Sequence, residues 1–406
     1  MSRVLIAWEL GTNYGHLARC LAIAHVLRER GHVVMFAVRD TRGAAEILSS
    51  AGFPYLQAPM LARPGPATAP PASYSEILLG AGYGDRPSLK GMVTAWVELL
   101  RLFCADVVLA DHAPTALIAA RILDVTAIAI GNGFSVPPPI DPMPSFRPWE
   151  NIPEGRLLSA SQKANETITH VFGEFGVAPV QLAELFSTAL LDTFPELDHY
   201  GERAGACYIG PIFTSLGAQE VRWQHSSPTR IAVYMRPDVA GFPFLLEALR
   251  ECDAEVLAII PGLGLAHLEK LVTDQLRIYT SPVAWRGLLT EANLVVGYGG
   301  TGSVAQSLLA GVPQLMLPRY IEQHLGALRV EAMGAGITIG PNRNKNTFVD
   351  AIQKLLSESR FKAAAMAFAG KYASHRSQSA VMKIVASIEE NQGVATSVVP
   401  AQGESD

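Results

Sequence analysis

The chain has 406 residues, too many for one ordinary core at about 100–200 residues per domain, so two domains are expected. Its formal net charge of −5, with no Lys/Arg-rich stripe beside aromatics, excludes a nucleic-acid partner as the working expectation. Charged residues make up only 17% and hydrophobic ones 49%, which fits large buried parallel sheets and leaves room for an apolar ligand.

Cys20, Cys104, Cys207 and Cys252 are scattered without a C-x-x-C, so neither a structural zinc site nor a disulfide framework is expected. The first strand begins almost at Met1, so no leader is expected, and no run reaches the ~18 apolar residues of a membrane span. A cytoplasmic protein, monomer or homodimer, is the expectation; peripheral membrane contact through apolar loops is left open.

In chain order, Val4–Trp8 reads as a strand, Gly11 to Gly15 as a glycine-bracketed loop, and the next segment as a helix. Its apolar face is Leu17, Leu21, Ala24 and Leu27 at helical spacing, and Gly31 closes it. His16 sits at the helix start, where the positive end of the dipole disfavours imidazolium and keeps the ring neutral, the form a general base needs. Its other reading is a loop histidine capping the helix. Val107–Ala110 reads as a buried strand followed by Asp111, with a helix from Thr115 to Ile122; Asp111 is either a partner for a histidine or an N-cap. His112 beside it complicates that assignment. Two Pro-rich stretches, 58–74 and 135–153, are long irregular segments, which in a compact domain are either functional or disordered.

After a linker at 215–229, a strand from Ile231 to Tyr234 runs into Arg236-Pro237, where a guanidinium could hold a phosphate bidentately or stand exposed in a turn. Leu294–Val296 is an apolar strand ending in Gly297. Gly299, Gly300 and Gly302 let the backbone turn sharply, and Ser303 onward reads as a helix whose free N–H groups face that turn, a seat for a diphosphate. The same run satisfies G-x-G-x-x-G at Gly297, Gly299 and Gly302 with Glu322 about 20 residues on, so a dinucleotide site is a competing reading.

The run GYGGTGSVAQSLLAGVPQLMLPRYIEQHLGALRVEAMGAGI resembles the donor-binding signature of the inverting, nucleotide-sugar-dependent glycosyltransferases of the macrolide and plant secondary-product type. The strand–loop–His16 context resembles the catalytic segment of the same family. The resemblance implies the GT-B fold: two doubly wound Rossmann-like α/β domains facing across a cleft, 1–215 binding acceptor and 216–360 binding the nucleotide sugar. Helices at 361–390 would pack back on the first domain, and 391–406 would be a frayed tail. It implies His16 as base, Asp111 as its orienting partner, and Gly299, Gly300, Gly302 and Ser303 on the diphosphate, with no metal and no cofactor beyond the sugar-nucleotide co-substrate. Val283 would use its backbone on the base, Glu322 and Gln323 would bind the sugar, and Asn13, Phe134, Phe146 and Trp149 would line a small, apolar acceptor.

Several positions depart from the family pattern. Tyr298 stands where the family has a diphosphate-binding histidine, Gln306 where a glutamate holds the ribose, Gly326 where an asparagine follows the sugar-binding pair, and Arg19 where a proline follows the histidine. Arg236 is the residue that could compensate at the diphosphate, and Trp285 either stacks on the base or packs. The rival readings are a catalytically degenerate binding protein of the same fold, an NAD-linked oxidoreductase and a sugar-nucleotide epimerase.

Overall fold

The computed structural model describes residues 1–11, 15–61, 69–214, 218–224, 227–264, 271–341 and 343–395, the last five as backbone only. The chain divides into two compact units. One comprises Met1–Phe194, Arg203–Thr214 and the segment from Arg376 onward; the other comprises Pro195–Glu202 and Ser215–His375.

The first unit holds the strands β1 (Arg3–Trp8), β2 (Val33–Val38), β3 (Tyr55–Gln57), β4 (Val107–Asp111), β5 (Thr126–Gly131), β6 (Leu190–Leu191) and β7 (Cys207–Tyr208). They form one sheet in the order β3-β2-β1-β4-β5-β6-β7, every pairing parallel. Because strand side chains alternate between faces, β1 feeds two cores. Val4, Ile6 and Trp8 pack with Leu17, Leu21 and Leu27 of the helix Gly15–Glu29, whereas Leu5 and Ala7 pack with Trp96 and Phe172 on the opposite face. Burial on both faces explains why these strands are apolar throughout rather than alternating. The helix Arg86–Phe103, which brings Trp96, starts on the Asp85 carboxylate accepting from the Ser88 amide and stops at Cys104 in the left-handed region.

The second unit holds β8 (Arg230–Tyr234), β9 (Glu255–Ile259), β10 (Leu276–Tyr279), β11 (Leu294–Gly297), β12 (Gln314–Met316) and β13 (Gly336–Thr338). Again all pairings are parallel, in the order β10-β9-β8-β11-β12-β13. The fold class expected from the sequence is therefore present twice over. The boundary near 215 falls at Thr214, but two segments are placed differently from the expected domains. The helix Ser359–Lys371 stays with the second unit, since Phe361 is buried in the same core as Phe348, Ile352 and Leu355, and the return to the first unit begins only at Arg376. The short stretch Pro195–Glu202 also belongs to the second unit. Glu196 there accepts from Lys371 and, at 2.6 Å, from the Tyr372 hydroxyl, and the His199 carbonyl accepts from Arg329. The last helix, Ser377–Ala395, buries Val381, Ile384, Val385 and Ile388 in the core that also holds Leu17 and Leu21.

In each sheet the strand order reverses between the first strand and its neighbour, at β1/β4 and at β8/β11. Crevices at the carboxyl ends of such switch points are where open α/β sheets bind ligands. No helix among the described residues is long and apolar enough to cross a membrane.

Candidate active site

In the first unit the switch point brings together two side chains singled out from the sequence. His16 is the second residue of the helix that follows β1, and Asp111 is the last residue of β4, which lies beside β1. His16 Nδ1 lies 2.8 Å from Asp111 Oδ1. A carboxylate only accepts, so Nδ1 carries the proton and Nε2 keeps a free lone pair. The ring stacks on Trp8, centroids 5.7 Å apart and planes within 18°. Gly11, at φ +86°, lies against Nε2, where a β-carbon would be 2.6 Å from that atom. Asn13, the acceptor-side candidate in this loop, lies outside the described residues.

Asp111 is fully buried. Burial by itself would raise its carboxyl, but the Arg19 guanidinium and then His16 outweigh it and hold Asp111 well below the usual carboxylate range. The N-cap alternative for Asp111 is not what the chain does. The helix Pro114–Ile122 starts after Ala113 with no side-chain cap, and its Thr115 amide donates instead to Glu9 at 3.0 Å.

Sequence reasoning missed most of what surrounds this pair. Arg19 Nη2 donates to Asp111 Oδ1 at 2.5 Å, Arg19 Nη1 donates to Asp192, and the Cys20 thiol donates to Asp111 Oδ2 at 3.3 Å. Burial pushes Asp192 up to about 6 although Arg19 draws it back. Burial likewise lowers His112 to about 3, so it is neutral at working pH; its ring stands 6.1 Å from that of His16, and among the described residues its Nε2 has no hydrogen-bond partner. The signals available were weak ones. Arg19 lies three residues after His16, one turn along the same helix face, and Asp192 follows an apolar pair as Asp111 follows an apolar strand.

The three aromatics expected at the acceptor do not form one wall. Phe146 is a core residue, 1% exposed. Phe134 is half-buried against it with ring centroids 5.6 Å apart, and Trp149 is exposed with its indole N–H on Glu150.

In the second unit, β11 ends at Gly297 and the glycine turn leads into the helix Thr301–Leu309. Gly299 has φ +83°. The helix has Gly300 at its N-cap and no side chain capping it, while Ser303 Oγ donates back to the Gly300 carbonyl at 3.0 Å. Such a terminus presents backbone donors and a positive dipole end to an anion. Gly302 is exposed on its first turn. Gln306, expected at the ribose, turns its amide toward the Gly302 carbonyl at 3.4 Å.

Tyr298, at the diphosphate-histidine position, is only 8% exposed, and its hydroxyl accepts from the Arg236 amide. It braces the end of β8 against the end of β11. The Arg236 side chain itself is exposed. A cation that the sequence reading did not single out, Arg319, forks onto Asp238 at 3.2 and 2.9 Å and lies 5.9 Å from the centre of the Tyr298 ring. Gln323 Oε1 accepts from the Arg319 amide at 2.9 Å, and Glu322 stands in the first turn of the helix Ile321–Ala332. An isolated bridge between Gln219 and Val283 uses the Pro282 carbonyl and the Ala284 amide, not the backbone groups of Val283. Trp285 packs edge-on to Tyr234 at 6.4 Å.

The comparisons with known proteins agree with the fold. Residues 243–389 match the family described as the erythromycin biosynthesis protein CIII-like C-terminal domain. A PGL/p-HBAD biosynthesis glycosyltransferase of Mycobacterium tuberculosis is 25% identical over 388 residues, covering 89% of this chain and 87% of the relative. A zeaxanthin glucosyltransferase of Pseudescherichia vulneris is 22% identical over 382 residues, covering 85% and 88%. Among solved structures, the calicheamicin glycosyltransferase CalG4 superposes with a TM-score of 0.70 at 18% identity, covering 97% of this chain and 98% of its own. The protein is a glycosyltransferase of the GT-B fold. VinC, a glycosyltransferase solved in complex with DTDP, shares that fold with a TM-score of 0.68 at 18% identity over 91% of this chain and 95% of its own. The competing dinucleotide reading loses its structural premise, because in this glycosyltransferase the G-x-G-x-x-G run follows the fourth strand of its unit rather than the first.

Proposed function

We propose that this glycosyltransferase moves a sugar from a nucleoside-diphosphate sugar to a hydroxyl of a small, apolar acceptor with inversion, His16 acting as general base. The observation that carries the reading is the 2.8 Å bond from His16 Nδ1 to Asp111, which fixes the tautomer and leaves Nε2 basic. The acceptor hydroxyl gives its proton to Nε2 as its oxygen bonds to the anomeric carbon. The bond from that carbon to the diphosphate oxygen breaks in the same displacement, and the electron pair leaves with the diphosphate. Asp111 stabilises the imidazolium that forms. The uncapped helix start at Gly299–Ser303, with Arg236, takes the charge on the leaving group, so helix amides and a guanidinium serve as counter-charge in place of a metal. Glu322 and Gln323 bind the transferred sugar, and no further cofactor takes part. Relatives named for glycosyl and glucosyl transfer support sugar transfer as the reaction.

A binding protein without turnover is the second reading, motivated by the engaged Tyr298 hydroxyl and by Gln306 in place of an acid. Calorimetry and thermal shifts with UDP, dTDP, GDP and their sugar conjugates, followed by an acceptor screen, separate the two. The His16→Ala variant should bind the nucleotide nearly as the parent does and transfer nothing. Full turnover in that variant removes His16 from the mechanism, and tight binding without turnover on any hydroxylic acceptor favours the second reading.

A further inference from the structure

The helix Gly15–Glu29 presents His16, Arg19 and Cys20 on the face that meets the carboxyl ends of β4 and β6. Arg19 is the junction of this cluster. Its side chain is 13% exposed, and the guanidinium spans two buried carboxylates, Asp111 on one fork and Asp192 on the other. Arg19 Nη2 and His16 Nδ1 both reach Asp111 Oδ1 and lie 3.3 Å from each other. Asp192 follows β6 directly, and its amide continues the ladder onto the Gly131 carbonyl at 2.9 Å, so its backbone is fixed. Among the described residues its second oxygen, Oδ1, is buried without a partner, and Arg19 is the side chain that bonds this carboxylate.

Resting on the general-base reading above, we infer that Asp192, acting through Arg19, is a positioning residue for His16, so that the base is supported by two carboxylates joined by one guanidinium.

The charge balance gives the reason. With the imidazole neutral, one cation faces two carboxylates, and the buried cluster carries an excess negative charge that a proton on His16 cancels. Proton uptake from the acceptor therefore relieves the cluster rather than straining it. Arg19 alone would act against imidazolium; Asp192 offsets it. The other titratable groups packed nearby are the Cys20 thiol, which burial holds protonated, neutral His112, and Glu9 with Arg39 at the end of β1. None of these bonds to Arg19 or Asp192 among the described residues. A proline at position 19, as in the family pattern, could make none of these bonds.

The test is a pair of charge deletions read by pH, not by rate alone. Asp192→Asn removes a supporting anion, so the acid limb of kcat/KM should move down by about one pH unit, with kcat roughly tenfold lower and acceptor KM kept. Arg19→Gln removes the opposing cation, and the limb should move up by about one unit. The NMR midpoint of the His16 imidazole should follow both shifts in each variant. Asp192→Glu and Arg19→Lys keep the charges and should return toward the parent profile. Shifts in the same direction, no shift, or conservative variants that behave like the deletions overturn the proposal in favour of packing. Because the NMR midpoint needs no turnover, opposite shifts in a protein whose His16→Ala variant stays fully active would sink the general-base reading while leaving the electrostatic coupling standing.

Discussion

A β-carbon on Gly326 would lie 2.7 Å from the carbonyl oxygen of Gly299, and one on Gly299 would lie 2.7 Å from the carbonyl of Gln323. The helix Ile321–Ala332 and the phosphate-type turn thus touch backbone to backbone, with Gly299 held at φ +83°. The glycine at 326 is a packing requirement of this chain.

Gly326→Asn, which restores the family residue, should therefore weaken the protein rather than improve it. The added side chain pushes the helix off the turn, at a cost of about 1–3 kcal/mol for overpacking, and nucleoside-diphosphate affinity should fall with it. Melting curves and calorimetry with UDP and dTDP check this. An unchanged melting temperature with tighter nucleotide binding would show that the helix can move away freely.

Gly11→Ala addresses the other site by the same reasoning. Its φ of +86° disfavours any side chain, and the methyl would meet His16 Nε2 at 2.6 Å. Displacing a base by about 1 Å can cost on the order of 100-fold in rate. The expected result is a kcat loss of that order with donor KM preserved, measured in steady state. A variant with parental kcat means that His16 is not held against Gly11 during turnover.

The glycine turn, the two sheets and the His16–Asp111 pair were legible because each rests on local pattern: apolar strands, glycines at helix starts, and polar residues at strand ends. Arg19 was not legible as a structural element, since its partners lie 92 and 173 residues away and no local rule announces them. Tyr298 carries a bond that was equally illegible. Its position in the motif suggested a ligand, and a ring as large as tyrosine also finds burial beside β8, where its hydroxyl satisfies the Arg236 amide. Glu9 went unread because a lone acid after a strand looks like a solvent-facing loop residue, whereas here it supplies the acceptor that the uncapped helix Pro114–Ile122 lacks.

Gln306→Glu tests the ribose assignment. In the parent the amide N–H reaches the Gly302 carbonyl at 3.4 Å, a weak bond that is cheaply given up. A carboxylate cannot make that bond and should turn toward a diol if one lies there, tightening sugar-nucleotide binding by roughly three- to tenfold. Calorimetry with the matched nucleotide measures it, and an unchanged Kd places residue 306 away from the ribose.

Glu9 predicts a pH dependence of stability. Burial raises its carboxyl from 4.5 to about 7, although the bonds from Thr115 and the charge of Arg39 pull it down. With the folded value above the unfolded one, the native state binds more protons between pH 4.5 and 7, so this group's contribution is fully present below 4.5 and is lost as pH rises through 7. Glu9→Gln removes the titration and keeps one acceptor for the Thr115 amide, while giving up the bond from the Thr115 hydroxyl. The variant should melt below the parent at pH 5, and the difference should then move in its favour up to pH 8. The swing corresponds to at most about 3 kcal/mol. Melting temperatures of both proteins across that range decide the matter: a difference that does not change with pH would mean that Glu9 keeps the same protonation state folded and unfolded.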